Sequence, residues 1–169
     1  MRFVAFRSAA GESGLAVRTS PGSYAGLTAG EARYPGDLLS ILRAGDSAVK
    51  SAYAALSTSR TINLAECTLL PPIVLPDKIN CVGLDYLDHT SESGFKQPDY
   101  PSVFARLATS LIGHDSPILR PLLSDQLDHE GELVAIIGKP GRYIPCASAL
   151  EHVAGYSIFN DGSIRDSER

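Results

Sequence analysis

The stretch LDHEGELVAIIG, residues 127–138, sets two glutamates, Glu130 and Glu132, at the mouth of an apolar run. ELVAIIG reads as a buried strand, and strand residues two apart share a face, about 6.5–7 Å from one another. Both carboxylates then turn the same way, and Gly131 between them is expected to let the backbone pack closely on the opposite face. Two like charges so placed raise each other's pKa unless a positive centre neutralises them. A hard divalent cation in an all-oxygen site, Mg²⁺, Mn²⁺ or Ca²⁺, supplies that centre. On the Glu-x-Glu spacing alone, a strand start with two solvated glutamates is the commoner case, so a third acidic ligand is required. Asp161, in FNDGS, follows another apolar strand and stands at a natural position for that ligand, although taken singly Asn-Asp-Gly reads first as turn chemistry.

Around this stretch the second half of the chain is rich in strand patterns. KINCVG and SVFARL read as strands, CASALEHVAGY (146–156) as a short helix ending near Gly155, and YSIFND as the strand that leads into Asp161. Upstream, LLPPIVLPDK (69–78) carries three prolines, which forbid helix and favour an extended linker. The domain boundary falls there, giving a small N-terminal domain over 1–72 and a second domain over 73–169. Within the first, RFVAFR and GLAVRT pair as a hairpin across SAAGESG. Asp37 caps a helix that stops at Gly45 with Leu38, Leu39, Ile41 and Leu42 on one face, and a second helix starts at Asp46.

Two further groups carry potential chemistry. In DHTSESG (88–94), His89 and Glu92 are three residues apart and share a face if the segment makes one helical turn. A carboxylate beside an imidazole fixes its tautomer and supports it as a general base near neutral pH; a solvated loop with an incidental His and Glu is the plainer alternative. Arg106 interrupts the apolar SVFARL with a cation suited to gripping a substrate carboxylate or to pairing with a structural acid. The adjacent Arg165 and Asp166 are read as a brace at the end of the strand that carries Asp161. His129, beside Glu130, points to the opposite strand face. There is no Gly-x-Gly-x-x-Gly, and GKPGR (138–142) lacks the Gly-Lys-Ser/Thr order of a phosphate loop.

Composition narrows the classes. The 169 residues are 44 % apolar and 20 % charged, which suits a folded core and not a disordered chain. Net charge is −4 and the basic residues are scattered, so neither nucleic acid nor an anionic membrane is an expected partner. Cys67, Cys81 and Cys146 are odd in number and widely spaced, and are read as buried, reduced thiols. No signal peptide or membrane span is read, which makes a cytoplasmic location the expectation.

Taken in order, KINCVGLDYLDHTSE, PSVFARLATSLIGHDSPI, SDQLDHEGELVAIIGKPGR and HVAGYSIFNDGSIRD resemble the fumarylacetoacetate hydrolase family, in particular its bacterial members. The resemblance covers residues 69–169 strongly and the first 68 weakly. It implies an α+β, mainly β fold: a mixed β-sandwich or roll catalytic domain, incomplete at its C-terminal end, behind a small N-terminal α+β domain. Carried over by position, it implies that Glu130, Glu132 and Asp161 bind a divalent cation, Mg²⁺ or Mn²⁺ with Ca²⁺ also admissible. His89 and Glu92 match the water-activating pair of a lid, Arg106 a substrate-facing position, and Asp88 an acidic position that helps bind metal in some relatives. Asp85 and Glu168 depart from the family pattern and add negative charge near a site for anionic keto acids.

The implied function is metal-dependent hydrolysis of a C–C bond in a 2-oxo acid or 1,3-dicarbonyl compound such as a fumarylacetoacetate- or acylpyruvate-like substrate, by a homodimer. A decarboxylase, hydratase or isomerase of 2-oxo acids is the same-family alternative. A non-catalytic fragment, or one half of a split protein, is the alternative from another class.

Overall fold

The computed structural model describes residues 1–84, 86 and 99–167. The first strands are β1 (Phe3–Arg7), β2 (Ser13–Ser20) and β3 (Ser23–Thr28), followed by α1 (Leu38–Arg43), α2 (Asp46–Ser57) and the short β4 (Thr68–Leu69). They form a four-stranded sheet in the order β3-β2-β1-β4, with α1 and α2 supplying the apolar face that packs on it. The β1–β2 hairpin has the register Ala5↔Leu15 and Phe3↔Val17, which sends Ala5, Leu15 and Val17 to the helices. Leu38 and Ile41 of α1 and Ala52 and Leu56 of α2 close this core. Strand β3 has no expectation in the sequence reading, because SYAGLT carries a central glycine and little alternation. It forms because Gly22, at φ +76°, turns the chain tightly enough for Tyr24–Thr28 to pair with β2.

Helix α1 starts where its cap predicts. Asp37 Oδ1 accepts a hydrogen bond from the Ser40 backbone N–H at 3.0 Å, and Gly45, at φ +91°, separates the two helices in a backbone conformation that suits glycine. Helix α2 starts at Asp46 as expected and ends at Ser57. There the Ser57, Thr58 and Ser59 hydroxyls bond to carbonyls of the last turn, offering the backbone an alternative to further helix.

The chain divides into two compact units, residues 74–111 and the rest. The smaller contains an antiparallel hairpin of β5 (Ile79–Gly83) and β6 (Ser102–Arg106), registered from Gly83↔Ser102 to Ile79↔Arg106. In the larger unit, residues beyond 112 add β7 (Leu127–Asp128), β8 (Gly131–Ile137), β9 (Val153–Asn160) and β10 (Ser163–Ile164), paired β8 with β9 and β7 with β10. Mainly-β architecture with few helices is therefore the observed class.

Three expectations need correction. The predicted helix 146–156 is a 3₁₀ segment only over Cys146–His152; Val153, Ala154 and Gly155 already belong to β9. Ladder pairing of β9 along β8 as far as Val153↔Ile137 outweighs the local helical pattern. Strand β8 is not buried on both faces: Glu132, Val134 and Ile136 are half-buried, whereas Leu133 and Ile137 are 67 % and 62 % exposed. The cysteines are free thiols as expected, but Cys146 is exposed and the other two only half-buried.

Candidate functional site

The register of β8 and β9 positions the carboxylates. Gly131 pairs with Asn160 and Glu132 with Phe159. One step further, the Asp161 backbone N–H donates to the Glu130 carbonyl at 2.9 Å, and the Glu130 N–H donates to Asn160 Oδ1 at 3.2 Å. Glu130 therefore stands opposite Asp161, and directly opposed residues share a face. The period of two adds Glu132 to that face. Burial follows the same alternation: Asp161 is 4 % exposed and Glu130 and Glu132 are half-buried, whereas Gly131 and Asn160 between them are exposed. A Cβ on Gly131 would meet nothing within 4 Å, so the close backbone packing expected at that glycine is absent among the described residues.

A second layer of contacts surrounds Glu130. β10 pairs with β7 through Ser163↔Asp128 and Ile164↔Leu127, and the Arg165 N–H donates to the Gln126 carbonyl at 3.1 Å. That pairing lays the Arg165 side chain across two acids. Its Nε and Nη2 both donate to Asp128 Oδ2, at 3.2 and 3.1 Å, and Nη2 lies 2.5 Å from Glu130 Oε1. The His129 backbone N–H, followed by the Arg165 guanidinium, holds the Asp128 carboxyl below the usual carboxylate range. Asp166 is fixed differently: its Oδ1 accepts from the buried Ser124 hydroxyl at 2.8 Å, and the Ser124 Oγ accepts from the Gln126 N–H. Arg165 and Asp166 thus brace the strand end, and Arg165 also reaches the candidate site itself. The signal for this lies in Asp-x-Glu-x-Glu over 128–132, which puts three acids in one alternation, one more than the Glu-x-Glu spacing includes.

Glu130, Glu132 and Asp161 are brought to one face but not into one cluster. Among the described residues, no group of three His, Cys, Asp or Glu side chains is gathered closely enough to hold a metal ion. In donor chemistry and in facing the three carboxylates nonetheless suit a hard divalent cation, because they offer only oxygen and Asp161 brings its charge to a nearly buried position. Arg106 lies at the half-buried end of β6, opposite Ile79, in the smaller unit. His89, Glu92 and Asp88 lie outside the described residues, as do Asp85 and Glu168. His129 is exposed, with its ring beside the Asp128 carboxylate at 3.6 Å. A cavity of about 140 Å³ bounded by Phe6, Arg60, Asn63 and Cys67 belongs to the N-terminal sheet and contains none of these residues.

Residues 78–169 match the family model described as fumarylacetoacetate (FAA) hydrolase, C-terminal, and the chain belongs to the fumarylacetoacetate hydrolase family. It is 36 % identical to a mitochondrial oxaloacetate tautomerase of Xenopus laevis over 170 aligned residues, which cover 98 % of this chain and 53 % of that protein. The chain thus spans about half the length of the curated relatives it matches. Among solved structures, it resembles the fumarylacetoacetate hydrolase of Exiguobacterium antarcticum with a TM-score of 0.73 at 30 % identity, over 99 % of this chain and 58 % of that one. It also resembles a 5-carboxymethyl-2-hydroxymuconate delta-isomerase of Mycobacterium smegmatis, with a TM-score of 0.67 at 30 % identity, over 100 % and 58 % of the two chains.

Proposed function

We propose that this chain carries the cation-binding part of an enzyme that acts on a small 2-oxo acid or 1,3-dicarbonyl compound, cleaving a C–C bond by hydrolysis. The observation that carries the reading is the placement of Glu130, Glu132 and Asp161 on one face of the β8–β9 hairpin. These three residues would hold Mg²⁺ or Mn²⁺. Bound there, the cation would supply Lewis-acid polarisation of the substrate's oxygens.

The remaining work falls to the chain's own residues. Arg106 is proposed to grip the substrate carboxylate through its guanidinium fork. His89, with its tautomer set by Glu92, is proposed to take a proton from water, and the resulting hydroxide adds to the carbonyl distal to the carboxylate. The C–C bond then breaks, its electron pair passes to the 2-oxo fragment, and the proton held by His89 is available to that fragment. A site that stabilises such an electron pair also serves tautomerisation, isomerisation or decarboxylation of a 2-oxo acid. That second reading is favoured by the activities named for the frog relative and the mycobacterial isomerase. A homodimeric assembly and a cytoplasmic location belong to the same proposal; the frog relative is named as mitochondrial.

The test uses two substrates with and without Mn²⁺. Release of pyruvate from an acylpyruvate reports hydrolysis, and loss of enol absorbance from oxaloacetate reports tautomerisation. Glu130→Gln is expected to abolish Mn²⁺-dependent turnover of whichever substrate reacts, and His89→Ala to abolish hydrolysis while sparing tautomerisation. Equal loss of both reactions in His89→Ala would remove the assigned division of labour. Metal binding without turnover of either substrate would favour a non-catalytic cation-binding segment.

A further inference from the structure

We infer that Arg165 is an internal rival of the cation for Glu130, held in place by Asp128, and so sets how tightly this site takes up metal. The inference rests on the cation-site reading above and adds Arg165 and Asp128, which that reading does not use. The position of Arg165 is fixed by its backbone, because its N–H bond to the Gln126 carbonyl extends the β7–β10 pairing by one residue. From there the guanidinium spans two acids, with Nε and Nη2 on Asp128 Oδ2 and Nη2 on Glu130 Oε1. The side chains of Arg165 and Glu130 are only 31 % and 19 % exposed, so water and salt screen the pair less than a surface one.

The Glu130 carboxylate is thus ion-paired with the Arg165 guanidinium in a partly buried setting. A divalent cation held by Glu130 would compete with the guanidinium for the carboxylate's charge and would repel the arginine. The contact between Arg165 and Glu130 therefore opposes uptake. Asp128 makes the exchange possible, since two of the guanidinium's contacts go to Asp128 and can persist when the contact to Glu130 is lost.

Calorimetric titration of the full chain with Mn²⁺ tests the idea, with each variant's fold checked by circular dichroism. Glu130→Gln is expected to lose binding. Arg165→Gln is expected to bind Mn²⁺ roughly fivefold more tightly, the equivalent of a partly screened ion pair. Arg165→Lys keeps the charge but loses the fork that reaches both acids, and is expected to bind more tightly than wild type by a smaller factor. If Arg165→Gln does not fold, Arg165→Lys decides. Unchanged or weaker binding in Arg165→Gln overturns the inference, as does tighter binding in Arg165→Gln alone, which would show a distant field effect and not a contact. Binding that depends on Glu130 but ignores Arg165 sinks this inference and leaves the cation site standing; absence of binding in wild type removes both.

Discussion

Glu31 shows how much a single residue's neighbours decide. The Arg60 guanidinium, and after it the Thr28 backbone N–H at 2.7 Å, lower its pKa to about 2 from an ordinary 4.5. A carboxyl whose folded pKa lies below its unfolded value contributes stability above the unfolded pKa and loses it as pH falls through the folded one. The window here runs from about pH 4.5 down to about pH 2. Glu31→Gln is expected to melt at a lower temperature than wild type at pH 7 and to converge with it by about pH 2, as followed by thermal unfolding across that range. A difference that does not change with pH would show that the Glu31 charge does not carry the stabilisation. The pair spans 29 positions in sequence, and nothing in the local pattern around Glu31 announces it. The facing of Glu130 and Glu132, by contrast, was legible from a spacing of two, because strand geometry converts spacing directly into side.

Among the elements, the β1–β2 hairpin depends on a glycine for room and not for turning. Phe6 pairs with Gly14 across the ladder, its ring is 1 % exposed, and a Cβ on Gly14 would overlap that ring. Gly14→Ala is expected to cost about 1–3 kcal/mol by overpacking. Combining it with Phe6→Leu should cost less than the sum of the two single changes, measured as a double-mutant cycle in urea. An additive result would mean that the ring moves aside freely. The hairpin itself and α1 were readable because alternation, the Asp37 cap and the Gly45 stop are local signals. The 146–156 segment was misread for the complementary reason: Val153–Gly155 carry no local preference strong enough to resist pairing with β8, and pairing partners are not visible in a window of sequence.

On the scale of the whole chain, cation binding to the folded state must raise apparent stability by mass action. At Mn²⁺ near a hundred times its dissociation constant the gain is about 2.7 kcal/mol, and the Glu130→Gln/Glu132→Gln chain is expected to show none. A cooperative transition indifferent to Mn²⁺ in both would sink the site. The same scale exposes the apolar side of β8 and β9, where Leu133, Ile137, Tyr156 and Ile158 are each 60 % exposed or more. The expectation of a buried strand failed there because burial belongs to whatever packs on a face, and the face itself says only that it is apolar.

By itself, the sequence determined the family, the mainly-β class, the Asp37 cap and the identity of the three carboxylates that share a face. Each of these follows from periodicities of two or 3.6 residues or from ordered motifs, which are properties of the linear chain. Only the tertiary structure decided that β9 begins at Val153, that Asp161 comes opposite Glu130 in near burial, and that Arg165 reaches back to hold Glu130 and Asp128 together. Those facts depend on which strands pair and in what register, and register is set by contacts between residues some 30 to 40 positions apart, beyond the reach of any local pattern.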